Sequence, residues 1–517
     1  MYSYGVAVSF VVPSLDELTV VKMKFPGRSL ILGIVLLLAA AALTSVSAVP
    51  TYRSKAKTFF ETLTEGGGAV TTTAAGPLSS GGQGGPIGGS KPGQACAPGR
   101  NGGSTDTGVT ANAIRLGATV VRSGIGSAFL GGAPTSMQAM ATKINRQGGV
   151  CGRLLDLKMI DDGWDATRGV TALRSLTDQG VFALAVSPSS EGVNALVTAG
   201  DLAKKGVPLI GADGLVKSEY KDPWVWPVAA STVSTMHIIV QEMIKRGAKT
   251  FGIVFENDYK FGVEGADAYY HAVKNAGFDI PGYDPSHSTC RKTFCGIISG
   301  QPSYSSEVQE FNSSCGTPNP GSGFNPQTQP AGGSFPSCDV VALLLEPKTA
   351  LTWLTKNGGA APHGGGRTMG PQPLFSADFA KQCDKSCAGM EVWTSYNPPL
   401  PPYVNSPAIA DYSQTVKTLD PSLDVANSFT EGAYLGMNVL IEALKRVGPN
   451  LTRGALRQAL DSGSYDFGIG PPLQWRPGNH LGNGAMQSYS LQYQGNTFIA
   501  FTLQSHFVTD SLLGKDL

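Results

Sequence analysis

The stretch VFALAVSPSSEGVNALVTAGDLAKKGVPLIGADG, Val181 to Gly214, decides the class of fold. Its first six residues are an unbroken apolar run, the pattern of a strand buried on both faces. Three serines and a proline stop that run. From Glu191 the pattern turns helical, and VPLI, Val207 to Ile210, is a second apolar strand. Strand, helix and strand in this order make a parallel βαβ unit. Ser187, Ser189 and Ser190 stand where the first strand feeds the helix. Their hydroxyls suit helix capping, and the free N–H groups of a helix start also attract an anionic ligand group. The stretch by itself is compatible with both.

The same alternation runs outward in both directions. IRLGATVV (114–121) and LLDLKMI (154–160) read as strands before it, with helices at PTSMQAMATKINRQGG and ATRGVTALRSLTDQG. After it, VWPVA leads into STMHIIVQEMIKRG, where Met236, Ile239, Val240, Met243 and Ile244 form one apolar stripe. TFGIVF (250–255) opens a second series, with a helix at GADAYYHAVKNAG, strands at DVVALLL (339–345) and PLFS (373–376), and a late helix EGAYLGMNVLIEALKRVG. Roughly 400 residues of this pattern exceed one core and suit two lobes. Residues 283–338, rich in Pro, Gly and Ser and holding four cysteines, read as an insertion or long loop on the second lobe.

The N-terminal region differs. Lys22, Lys24 and Arg28 precede the apolar run Leu30 to Leu43, and small residues follow to Ala48. That order describes a secretory signal peptide within residues 1–50, with cleavage expected after Ala48; an uncleaved membrane anchor through residues 30–49 is the alternative. Met23 would make a more ordinary start for such a signal. Residues 51–108, rich in Gly, Ser, Thr and Pro, read as a flexible linker. The body of the protein is therefore expected outside the cytoplasm, secreted or anchored at the outer face of the membrane. Eight cysteines suit that compartment. Sequence proximity pairs Cys290 with Cys295, Cys383 with Cys387 and Cys315 with Cys338, leaving Cys96 with Cys151, although spacing does not fix connectivity.

With 39 basic and 38 acidic side chains, the chain carries no basic excess for nucleic acid and no acidic tail. There is no G-x-S-x-G, H-E-x-x-H or P-loop motif, and the six histidines are scattered. Gly124 and Gly126 give half of a dinucleotide fingerprint, but the third position is Phe129. Asp161, Asp162 and Asp165 fit helix capping better than a metal. No cofactor, metal or catalytic residue is expected. Small and polar residues recur instead at the carboxyl ends of the strands, where open α/β sheets bind ligands.

In order and spacing, these segments resemble the type I periplasmic binding proteins, in particular the branched-chain amino-acid-binding family that feeds ABC importers. The likeness runs over about residues 109–505 through IRLGATVV, INRQGGVCGRLLDLKMIDDGWDATRGV, SPSSEGVNALVTAGDLAKKGVPLIGADG, VFENDYKFGVEGADAYYHAVKNAG, SADF and EGAYLGMNVLIEALKRVG. It implies an α/β fold of two Rossmann-like lobes joined by a three-crossover hinge, with crossovers near 230, 396 and 485. Lobe 1 would hold 109–231 and 397–484, and lobe 2 would hold 232–396 and 485–517. It also implies a monomer that closes on a small ligand, such as an amino acid or amide, and hands it to a membrane permease. A membrane-tethered ligand sensor of the same fold is the alternative. By position, Ser189, Ser190, Gly211, Ala212 and Asp213 would hold the ligand from lobe 1, and Tyr259, Phe261 and Asp378 from lobe 2. The sequence departs from the family at two of these places. Asp213 stands where threonine is common, and Phe261 stands where tyrosine is usual. An added carboxylate repels a ligand carboxylate, so an ordinary branched-chain amino acid fits poorly, and amides, polyamines, aromatic acids or a cationic amino acid remain open.

Overall fold

A computed structural model describes residues 6–13, 18–25, 96, 100–315, 338–356, 368–387, 390–475, 477, 480, 486–494, 497–506 and 516. The apolar run 30–49, most of the linker, residues 316–337 and the third crossover near 485 lie outside the described residues. Residues 1–87 form one unit, in which β1 (Val6–Pro13) and β2 (Leu18–Phe25) pair antiparallel. Residues 88–517 form the other.

Two sheets organise the second unit. The first has five strands in the order β4-β3-β5-β6-β7, all parallel. They are β3 (Ala113–Val120), β4 (Leu154–Asp161), β5 (Ala183–Ala185), β6 (Leu209–Ala212) and β7 (Val225–Pro227). The second sheet has eight strands, β15-β14-β13-β12-β11-β8-β10-β9. Its parallel centre is β8 (Phe251–Glu256), β10 (Phe294–Ile297), β11 (Val340–Leu344), β12 (Thr368–Pro371) and β13 (Glu391–Thr394). The edges are antiparallel: β9 (Cys290–Arg291) on one side, β14 (Met486–Gln494) and β15 (Thr497–His506) on the other. Every side chain of β5, β6, β8 and β11 is buried, because helices cover both faces of each sheet.

Part of the stretch read as an insertion belongs to the sheet. The run FCGI is too short for its period to show, yet it adds a parallel strand beside β8 and is tied to β9 by Cys290–Cys295. PLFS also differs: Gln372–Leu374 is a 3-10 turn, and the strand lies just before it, at β12. Cys96–Cys151, Cys315–Cys338 and Cys383–Cys387 are bonded as well. Among the described residues no helix is long and apolar enough to cross a membrane.

The chain passes from sheet to sheet after β7, after β13 and between Trp475 and Met486, and the passages are tied together. The Ala230 amide donates to Ser395 Oγ at 3.1 Å, and Trp475 Nε1 donates to the Pro227 carbonyl at 2.9 Å.

Helix packing then fixes the serine turn. The helices Ala166–Asp178 and Ser190–Thr198 meet at Gly169 and Gly192, where a Cβ on Gly169 would come 2.5 Å from Gly192 Cα. Helix propensity alone favours Gly169→Ala by about 1 kcal/mol. The clash is with backbone, so the variant is expected to lose on the order of 2 kcal/mol instead, read from urea unfolding. A gain in stability would show that the two helices separate easily.

Candidate functional site

The carboxyl edge of the first sheet carries the serine turn. Ser187, Ser189 and Ser190 have no exposed surface. Ser187 Oγ accepts from the Thr119 amide at 3.4 Å. Ser189 occupies the N-cap position but makes no capping bond; its hydroxyl lies against the buried Asp162 carboxyl. Ser190 Oγ accepts from Trp164 Nε1 at 3.3 Å. Capping therefore does not account for these hydroxyls. Glu191, in the first helical turn, reaches the other lobe: its Oε1 accepts from the Lys260 amide at 2.9 Å. Glu264 answers from lobe 2, accepting from the Lys217 amide at 2.7 Å.

The loop after β6 splits into two roles. Gly211 has φ +91°, and a Cβ there would lie 2.9 Å from both Gly436 Cα and a Val186 methyl. Its need for glycine comes from the helix Ser428–Val447 behind it. Ala212 is buried in the core of lobe 1. Asp213 is 6% exposed, with Oδ1 accepting from the Leu215 amide at 3.1 Å and its carboxyl hydrogen-bonded to that of Glu219. Beside it Glu219 accepts from the Gly214 amide at 2.6 Å. Burial, with smaller contributions from neighbouring acids, pushes the Asp213 carboxyl up to about 7. Burial and then the Asp213 charge drive Glu219 well above its usual range. Two buried carboxyls side by side hold a proton between them rather than two charges.

From lobe 2, Tyr259 and Phe261 open the helix Lys260–Asn275. Gly262 lets that helix start against β8, since a Cβ there would meet the Glu256 carbonyl. Tyr259 stacks on Trp164 of lobe 1 with ring centroids 4.0 Å apart and planes 11° from parallel. Phe261 lies 5.9 Å from the same indole, and Phe129 meets it edge-on at 5.1 Å. Phe429 adds to Phe129 at 5.4 Å. This apolar cluster is made of residues from both lobes. Trp164 is 2% exposed and holds φ +62°, directly after Gly163 at φ +61°. A bulky residue in the left-handed region costs about 1–3 kcal/mol and persists only where its surroundings fix it. Lobe 2 adds a second acid pair, Glu256 after β8 and Glu346 after β11. Glu346 caps the helix Pro347–Leu351, and Glu256 is wholly buried against the Glu346 backbone and the Thr349 side chain. Burial and then the Glu346 charge raise Glu256 well above its usual range.

The structure thus brings Ser190 to the Trp164 indole, and the indole to Tyr259 and Phe261. Ser189 lies one residue away, and Asp213 faces lobe 2 through its carbonyl, which accepts from Gln372 Nε2 at 3.2 Å. Asp378 is not gathered with them; it is exposed in the first turn of the helix Ala377–Cys383, its amide donating to Asp424 at 3.3 Å. Sequence reasoning missed Trp164, Phe129, Phe429, Glu191 and Gln372, whereas Glu256 stood among the polar residues read at the carboxyl ends of strands. Trp164 carried a usable signal, an aromatic within DDGWD at the carboxyl end of a strand; the others are assembled by tertiary packing. Among the described residues no group of three or more His, Cys, Asp or Glu is arranged to hold a metal ion.

Asp213 makes stability depend on pH. The unfolded carboxyl releases its proton near pH 4, while the folded one keeps it to about 7. The unfolded state thus binds fewer protons across that interval, and stability falls as pH rises through it. Asp213→Asn removes this contribution. Its stability relative to the parent is expected to grow between pH 4.5 and 7.5 by on the order of 2–4 kcal/mol, measured by urea unfolding at both pH values. A difference that stays flat would place Asp213 in water.

A family model described as periplasmic binding protein matches residues 113–288 and 319–496. No curated protein matches the sequence. Among solved structures, a substrate-binding periplasmic protein from Ralstonia solanacearum is 18% identical, with 75% of this chain and 99% of that one aligned at a TM-score of 0.59. A fatty acid ABC transporter substrate-binding protein from Thermomonospora curvata is 17% identical, covering 81% and 98% at 0.62. A solute-binding protein from R. palustris, solved with benzoate, is 15% identical, covering 78% and 100% at 0.61. These likenesses carry the fold.

Proposed function

This chain belongs to the periplasmic binding protein family, and we propose that it captures a small solute outside the cytoplasm by closing two lobes around it and delivers that solute to an ABC importer. The observation that carries this reading is the Trp164–Tyr259 stack, a contact between lobes at the carboxyl edges of both sheets. Ligands of open α/β sheets bind at that edge. A ring stack between lobes acts as a closing surface: it buries apolar area only when the lobes meet. In the proposed site Ser189, Ser190 and Asp213 face the solute from lobe 1, and Tyr259 and Phe261 pack on it from lobe 2. Asp378, exposed and remote from the stack in its contacts, would take part only if the lobes moved it inward. The role is binding without turnover, in keeping with the absence of a nucleophile–base motif in the sequence.

The test is a thermal-shift panel of amino acids, amides, aromatic acids and amines on the full chain, produced in an oxidising compartment. A bound solute at one hundred times its dissociation constant contributes about 2.7 kcal/mol, a clear rise in Tm. Trp164→Ala should keep the far-UV spectrum and weaken that solute at least about tenfold, the loss of one stacked aromatic contact. A folded chain that no compound shifts would contradict the reading.

A further inference from the structure

Two ties from the third passage between the lobes land on β7, the strand that feeds the first passage. One is the Trp475 indole on the Pro227 carbonyl at 2.9 Å. The other is His480, further along the same passage. Its amide donates to the Tyr220 carbonyl at 2.9 Å, and its Nδ1 meets the Val225 carbonyl at 2.5 Å. The ring stacks on Trp226 with centroids 4.9 Å apart, and the side chain is 1% exposed. All these partners belong to lobe 1, while the chain beyond His480 enters the second sheet at β14. A carbonyl only accepts, so Nδ1 carries the proton of the neutral ring and Nε2 is bare. Nε2 makes no hydrogen bond. Asp461 Oδ1, 3.6 Å from it, is already taken by Trp226 Nε1 at 2.9 Å.

The charged groups facing the ring are Asp461 and Arg457 from the helix Arg453–Ser462 and Asp222 from the end of the helix Lys217–Lys221. Burial is the largest influence and disfavours a second proton; Arg457 adds to it, and the Val225 carbonyl, Asp461 and Asp222 oppose it. The balance holds the imidazole below its ordinary range. A charged ring in this position would carry a buried N–H with no acceptor at hydrogen-bonding distance. From a buried imidazole whose one N–H is committed to β7 and whose other nitrogen is bare, we infer that His480 is an acid-released pin of the hinge: it docks the third passage on lobe 1 while neutral and lets it go when protonated. A released ring gains its second proton near pH 6.5, and the docked ring gains it at a lower pH. Between these values the released state binds more protons, so docking weakens as pH falls through that range. The Ala230–Ser395 and Trp475–Pro227 ties involve no titrating side chain, so acid slackens one contact of the hinge and leaves those two in place.

The test is hydrogen exchange of the full chain at pH 7.5 and 5.5, corrected for the intrinsic rate and read at the peptide that holds His480. Opening of that peptide is expected to rise about five- to tenfold at the lower pH, while the peptides of β5 and β8 keep their protection. His480→Asn keeps a side-chain donor for the Val225 carbonyl and takes up no proton, so its opening should be the same at both pH values. Asp461→Asn keeps an acceptor for Trp226 and removes an acid that favours the charged ring, so its acid opening should exceed that of the parent. A histidine that only packs would leave both profiles parallel to the parent's and would overturn the pin. So would a parent peptide with equal opening at both pH values, or acid opening that persists in His480→Asn. Should His480→Asn fail to fold, NMR titration of the imidazoles decides together with Asp461→Asn. A His480 ring that titrates below about pH 6.5 and greater acid opening in Asp461→Asn support the pin; a ring that titrates at or above that value overturns it.

Discussion

Two opposing influences hold Trp164 where it is. Burying an indole contributes about 4–6 kcal/mol, and its stack on Tyr259 and edge contact with Phe129 add to that. Against this stand the left-handed backbone at residues 163 and 164 and the freedom lost when two lobes are locked together. The indole N–H donates to Ser190, so its position is set by the same turn that ends β5.

That turn depends in its turn on close helix packing. Gly169 meets Gly192, and Gly211 meets Gly436, so the backbone around the serines is drawn in from two sides. The reciprocal contacts of Glu191 with the Lys260 amide and of Glu264 with the Lys217 amide then cross between the lobes. Each carboxylate sits at the start of a helix on the other lobe, where the free N–H groups and the helix dipole favour negative charge.

The architecture was readable because its strands are continuous apolar runs and its helices carry clean stripes; VFALAV and VPLI could hardly be anything but buried parallel strands. FCGI was not readable, since four residues that include a cysteine and a glycine carry no period. The site was legible in part. Ser189, Ser190, Asp213, Tyr259 and Phe261 stood at strand ends or helix starts, which is a positional signal. Gly211 stood there too, although its φ and its neighbours tie it to the helix behind. Phe129 and Phe429 come from distant segments of lobe 1, Gln372 comes from lobe 2, and only tertiary packing makes them neighbours of the turn. No local pattern in the sequence encodes such packing.

The central claim is that the Trp164 contact between lobes governs closure. Small-angle X-ray scattering of the full chain, alone and with Trp164→Ala, addresses it without a known ligand. The account predicts a larger radius of gyration for the variant under identical conditions, with unchanged far-UV spectra. Superimposable curves for parent and variant would contradict it, and would mean that the lobes are held by the hinge ties and the acid–amide contacts alone.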